Sequence, residues 1–144
     1  MPRRDFNLTV ALGDGPNSDN TWDSGIAVAA NGSDAYGMLK GKPASTGDDI
    51  IGWTIKQQTS GDIVCLRTMM DGTIYAKLGD FGTYGTTTMG DPLWLTNDDT
   101  GTLTADFNLV ESGQSPIAMA LELDKGDGDY CEVYVYSQKD TVIT

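Results

Sequence analysis

The segment "DFNLTVAL", Asp5 to Leu12, alternates without a break. Phe6, Leu8, Val10 and Leu12 fall on one side, and Asp5, Asn7, Thr9 and Ala11 on the other. Period-two alternation predicts a strand with one buried face. Further short apolar runs, rich in β-branched and aromatic residues, predict strands at Ile50–Lys56, Ile63–Thr68, Thr73–Leu78, Pro92–Thr96, Thr102–Ala105, Ile117–Leu123 and Tyr130–Ser137. Between them lie "TSGD", "MMDG", "TNDDTG" and "ESGQSP", all turn chemistry. In "IAVAANGSDAYGML" the tetrapeptide "NGSD" suits a turn between two weaker strands. Pro92 is expected to open its strand, where a missing N–H costs least.

No stretch carries a convincing helical stripe, and turn residues recur about every 8–12 positions, the spacing of a sandwich or barrel. The fold expected is all-β: a small β-barrel or β-sandwich with an extended N-terminal arm. "GDGPNSDNTWDSG", Gly13 to Gly25, is loop-forming throughout apart from Trp22. A polar loop this long, so near a terminus, divides the chain into an arm and loop region over 1–45 and a body over 46–144.

In the last strand Cys131, Val133 and Val135 share one face, which should be core. Tyr130, Tyr134 and Tyr136 share the other with Glu132, a polar-rimmed aromatic surface of the kind that meets a neighbouring subunit. Trp53 and Trp94, flanked by Ile and Leu, are expected in the core. Trp22, alone in its polar loop, is expected to anchor the arm on another surface. Phe6, Leu8 and Val10 would then be buried against a neighbour, led by Arg3 and Arg4, a cationic tip that can pair with an acidic partner.

Composition narrows the function. At 144 residues the chain suits one domain, burying about 70% of its unfolded surface. It carries 21 acidic residues against 9 basic ones, a net charge of −12. Binding to nucleic acid is therefore not expected, because phosphates must be neutralised by Lys or Arg. Only Glu111, Glu122 and Glu132 are Glu; the other acids are Asp, which favours turns. There is no His, which removes the commonest general base, the Ser-His and Cys-His pairs and the commonest transition-metal ligand. No apolar run approaches the roughly 20 residues of a membrane helix. "MPRRDFNLTV" makes a poor signal peptide, so a cytoplasmic origin and no membrane partner are expected. Cys65 and Cys131, each in an apolar run, are expected as buried free thiols.

Two segments invite a ligand. "DKGDGD", Asp124 to Asp129, has the acid density of a calcium loop, but from Asp124 the third and fifth positions are Gly126 and Gly128, and the twelfth is Val135. Too few oxygens converge, so it is expected as a hairpin tip with Gly126 or Gly128 at positive φ. "GDFGTYGTTTMGD", Gly79 to Asp91, lacks the GK[ST] and following helix of a phosphate loop and is expected as a flexible surface loop. Chance pairs among so many acids say little about glycosidase chemistry. Neither an enzyme nor a cofactor or metal site is expected.

From about Asp62 onward the chain resembles the bacteriophage capsid decoration (cement) proteins. "MGDPLWLTNDDTGTLTAD" is similar to the family's Gly-Asp turn, apolar strand with a central aromatic and "G-x-L-T" return. "PIAMALEL" is similar to its following strand, and "YCEVYVY" to the Val-rich strand near the chain end. "DIVCLRTMMDGTIYAKLG" can supply the preceding strand pair. Ala118 stands where that family commonly has Gly, and the first 45 or so residues have no counterpart in it.

The resemblance implies a virion structural protein, made in the bacterial host cytoplasm. It would bind the major capsid protein on the outer surface of an assembled icosahedral head and stabilise it by bridging neighbouring subunits, often as a homotrimer. The aromatics leave another reading open, a carbohydrate-binding or adhesin-type β module of a phage fibre or surface. A head–tail connector or tail-tube subunit is a third.

Overall fold

In the computed structural model, which describes residues 6–68 and 72–136, every regular element but one 3₁₀ turn is a strand. The strands are β1 (Phe6–Leu12), β2 (Thr21–Trp22), β3 (Ala27–Ser33), β4 (Leu39–Pro43), β5 (Ile50–Trp53) and β6 (Gln58–Thr59). They continue with β7 (Ile63–Thr68), β8 (Gly72–Lys77), β9 (Pro92–Leu95), β10 (Leu103–Thr104), β11 (Ala118–Ala120) and β12 (Tyr130–Val135). The expected all-β fold forms, and of the barrel and the sandwich it is a small barrel.

Two sheets carry the architecture. Strands β1-β4-β3-β5-β7 close into a barrel, and β10-β9-β11-β12-β8 form a second, five-stranded sheet; β2 pairs with β6. The first strand is the seam. β1 pairs parallel with β4 (Ala11 opposite Lys40) and antiparallel with β7 along its length, from Phe6 opposite Thr68 to Ala11 opposite Ile63. The expected arm and loop region over 1–45 is therefore corrected from Phe6 onward: β1, β3 and β4 are three of the five barrel staves. The alternation of "FNLTVAL" is satisfied by this chain's own interior, where Val10 and Leu12 are buried.

The barrel interior is small. Val10, Leu12, Val28 and Leu66 fill it, with Trp22 and Ile26 closing the packing and Leu8, Leu39 and Ile51 at its margin. Two inward positions are glycine for lack of room. A Cβ on Gly41 would lie 2.6 Å from Val28 Cγ1, and one on Gly52 would lie 2.7 Å from Leu66 Cβ.

β3 joins the two halves. Val28 faces the barrel interior, whereas Ala27 and Ala29 belong to a second core with Trp53, Ala76, Leu78, Leu93, Leu103 and Val133. Small side chains on that outer face let the second sheet approach closely. Main-chain bonds stitch the contact: Lys77 N–H donates to Gly25 O at 3.0 Å, Ala27 N–H to Gly101 O at 2.9 Å, and Gly101 N–H to Ala44 O at 2.9 Å. With one core spanning both sheets, the division at residue 45 has no structural counterpart.

The loops are better ordered by contacts than their composition suggests. In Gly79–Asp91, Phe81 and Thr87 are buried, and the Thr87 hydroxyl donates to Glu122 O at 2.7 Å. The expected flexible surface loop is thus a fastened one. "DKGDGD" is indeed the tip between β11 and β12, with Gly128 at φ 82°. Thr87 N–H donates to Lys125 O at 2.8 Å, and Gly126 N–H donates to the Asp129 carboxylate at 2.9 Å. The turn after β3 falls on Asp34–Gly37, just past "NG", where the Asp34 carboxylate accepts from the Tyr36 and Met38 N–H groups.

Candidate functional site

Arg3 and Arg4 lie outside the described residues. The backbone of Phe6 lies in β1 opposite Thr68, Leu8 is half-buried against the barrel core, and Val10 and Trp22 are fully buried in it. Burial against a neighbour is therefore corrected for Val10 and Trp22. The Trp22 indole N–H donates to Gly13 O at 3.1 Å, so the surrounding polar loop wraps the ring instead of presenting it. Cys65 is exposed and Cys131 buried, both as free thiols, so the expectation holds for Cys131 alone.

Tyr130 and Tyr134 of β12 and Tyr136 just after it do share a face. Cys131, Val133 and Val135 point inward, while Tyr130, Tyr134 and Tyr136 alternate with them on the outside. The sheet register extends this patch. Tyr75 of β8 stands opposite Glu132, Lys77 opposite Tyr130, and Met119 of β11 opposite Tyr134. Tyr75 is 58% exposed. The Lys77 ammonium sits 4.9 Å from the centre of the Tyr130 ring and 3.4 Å from the Asp23 carboxylate, which holds that ring in place. Tyr134 and Tyr136 meet edge to face at 6.1 Å. The outcome is an outward sheet face that is aromatic, acidic at its middle and fixed by its own strands.

At the Tyr136 end the face runs into a groove of about 290 Å³, lined by Trp94, Tyr136, Pro116, Gln114, Asp48 and Asp49 among others. Two turns form its rims. In the first, Ser45 N–H donates to the Asp48 carboxylate at 3.0 Å. The second spans Glu111–Gln114, with Gln114 N–H donating to Glu111 O at 3.4 Å. They face each other across Gly47, where a Cβ would lie 3.8 Å from Gln114 Nε2 and 4.0 Å from Glu111 Oε2.

Both rims are tethered to β9. The Thr46 hydroxyl donates to Leu95 O at 2.8 Å, and the Trp94 indole N–H donates to Gln114 O at 3.2 Å. Trp94 is half-buried, packed edge to face on Phe107 at 5.4 Å, and not in the core as expected. Its neighbours Leu93 and Leu95 take the inward positions, and the same alternation turns Met119 outward between Ala118 and Ala120. That signal was present in "PLWL" and "IAMAL". The groove's Gln114 sits in "ESGQSP", which the sequence marks as a turn but not as the rim of a groove.

Among the described residues no cluster of three or more His, Cys, Asp or Glu side chains is arranged to hold a metal ion. Burial pushes the Cys131 thiol above its ordinary value, and the Asp91 carboxylate beside Tyr84 raises that phenol.

No protein-family model matches the chain, and no curated protein sequence matches it. Among solved structures the fold is similar to the N base of head fiber gp8.5 in bacteriophage phi29, with a TM-score of 0.63 and 15% sequence identity over 92% of this chain and 94% of that one.

Proposed function

We propose that this chain is a non-catalytic structural protein of a bacteriophage virion, seated on the outer surface of the assembled head and stabilising it by bridging neighbouring capsid subunits. The observation that carries the reading is the likeness in fold to a phage head fiber base along nearly the whole of both chains. A net charge of −12 suits an exterior position, and a sequence without His suits a part that performs no reaction.

The contact is assigned to the outer sheet face instead of a leading arm. Tyr75, Tyr130 and Tyr134 offer an aromatic centre beside Met119, with Glu132 and Lys77 as the polar groups that set orientation. A homotrimer presenting three such faces would bind the lattice multivalently, so modest single contacts suffice. Each bound copy stabilises only the assembled shell, by about 4 kcal/mol at a thousandfold excess over its dissociation constant.

The test is to add purified protein to heads assembled without it and to image the particles. Density on the exterior at a fixed lattice position, lost in Tyr75→Asp and Tyr130→Asp variants that unfold at the wild-type temperature, is the expected result. Protein that stays free of the heads at every concentration overturns the reading.

A further inference from the structure

We propose that the groove between the Ser45–Asp48 and Glu111–Gln114 turns binds a neutral saccharide, a site that does not depend on the virion reading. Its size, about 290 Å³, lies at the lower edge of small-ligand sites and suits a ring-sized unit. Both rims are fastened to β9 through Thr46 and Trp94. The groove therefore stands open without a ligand, and little ordering cost is left for binding.

The lining matches sugar chemistry. A pyranose has apolar C–H faces and a rim of hydroxyls that donate and accept. Trp94, Tyr136 and Pro116 supply apolar and aromatic surface for the former. The half-buried Gln114 carboxamide and the exposed Asp49 carboxylate, both lining the groove, supply acceptors and a donor for the latter.

Charge then selects among ligands. Asp48, Asp49 and Glu111 ring the site, and Lys42 pairs with Asp48 at 3.8 Å. Phosphate, nucleotides and sialylated or uronic sugars are repelled; uncharged hexoses are not. A cationic peptide is the other class that an acidic rim attracts. It is disfavoured because the Asp48 carboxylate is engaged by Ser45 N–H as well as Lys42.

The experiment is a nitrogen-resolved NMR titration of the full chain with maltotetraose, cellotetraose and chitotetraose, with sialyllactose and tetralysine as the competing classes. The expected result is a saturable shift of the Trp94 indole N–H with at least one neutral sugar below about 10 mM. Gln114→Ala, which keeps the main-chain carbonyl that Trp94 bonds, and the exposed Asp49→Ala should each weaken that binding about tenfold. No shift with any neutral sugar, equal affinity in both variants, or a response to sialyllactose or tetralysine alone overturns the proposal. Attachment to heads is read separately, so loss of sugar binding with intact attachment rejects this site and leaves the virion reading standing.

Discussion

The indole N–H of Trp22 donates to the carbonyl oxygen of Gly13 at 3.1 Å, and the ring behind it is fully buried with Val10, Leu12 and Ile26. The bond ties the Gly13–Gly25 loop to the end of β1, and the ring closes the barrel packing. Gly15 is part of the same fit, since a Cβ there would come within 2.9 Å of Trp22 Cδ1. Trp22→Ala should cost about 3–5 kcal/mol through the cavity it leaves. Trp22→Phe keeps most of the ring, and its cost should be smaller, although Gly13 O loses its donor. Urea unfolding monitored by far-ultraviolet circular dichroism gives both values. Equal stability of Trp22→Ala and wild type would mean the ring is not part of the core.

The inward glycines set a second expectation. Gly41 and Gly52 leave no space for a side chain beside Val28 and Leu66. Gly41→Val should destabilise by about 1–3 kcal/mol or more through overpacking, while Gly37→Ala, at an open turn with φ 82°, should be penalised only by its backbone conformation. Introducing Val28→Ala beside Gly41→Val should recover part of the loss, because the clash is with Val28 Cγ1. Comparing the three variants in one denaturant series separates crowding from backbone strain.

Removing Met1–Gly25 deletes a barrel stave, not an appendage. β1 bonds to β4 on one side and β7 on the other, so the truncated chain should fail to fold cooperatively. A sharp thermal transition in the truncated chain would return these residues to the status of an arm. The alternation of "FNLTVAL" established a strand with a buried face but carried no information on what buries it. The same pattern serves a barrel interior or a neighbouring subunit, and the pairing with β7 and β4 decides. Trp22 misled for a related reason: a ring among Gly, Asn and Asp reads as exposed, yet those residues are what let the chain fold tightly over it. The β12 parity was legible because six consecutive positions, Tyr130–Val135, repeat it. The groove was not, since its rims meet through contacts between turns more than sixty residues apart, as Gly47 and Gln114 show.

The two thiols should react very differently. Cys65 is on the outer side of β7 beside Thr9, whose hydroxyl lies 3.7 Å from the sulfur, and is open to solvent. Cys131 is sealed under β12, where burial raises its pKa and suppresses the thiolate. One equivalent of maleimide should be consumed by the native protein and two by the protein in denaturant, with peptide mapping placing the native adduct on Cys65. Rapid native labelling of Cys131 would indicate that β12 opens readily from the second sheet.

Alkaline pH should destabilise the fold, and the sign follows from these same groups. The Cys131 thiol is raised above its ordinary value of 9.0 by burial, and the Tyr84 phenol above 10.0 chiefly by its bond to the Asp91 carboxylate. For each, the unfolded chain gives up its proton first as the pH rises, so the native state binds more protons between the unfolded and folded values. Stability is then fully present below the unfolded pKa and declines as pH climbs through that interval. Midpoints of urea unfolding should be level from neutral pH to about pH 8 and fall above about pH 9. Cys131→Ala should start from a lower stability because of its cavity but show a shallower decline, and Tyr84→Phe should flatten the region above the phenol's ordinary value. A slope unchanged in both variants would assign the alkaline loss to the summed repulsion of a chain already at net charge −12.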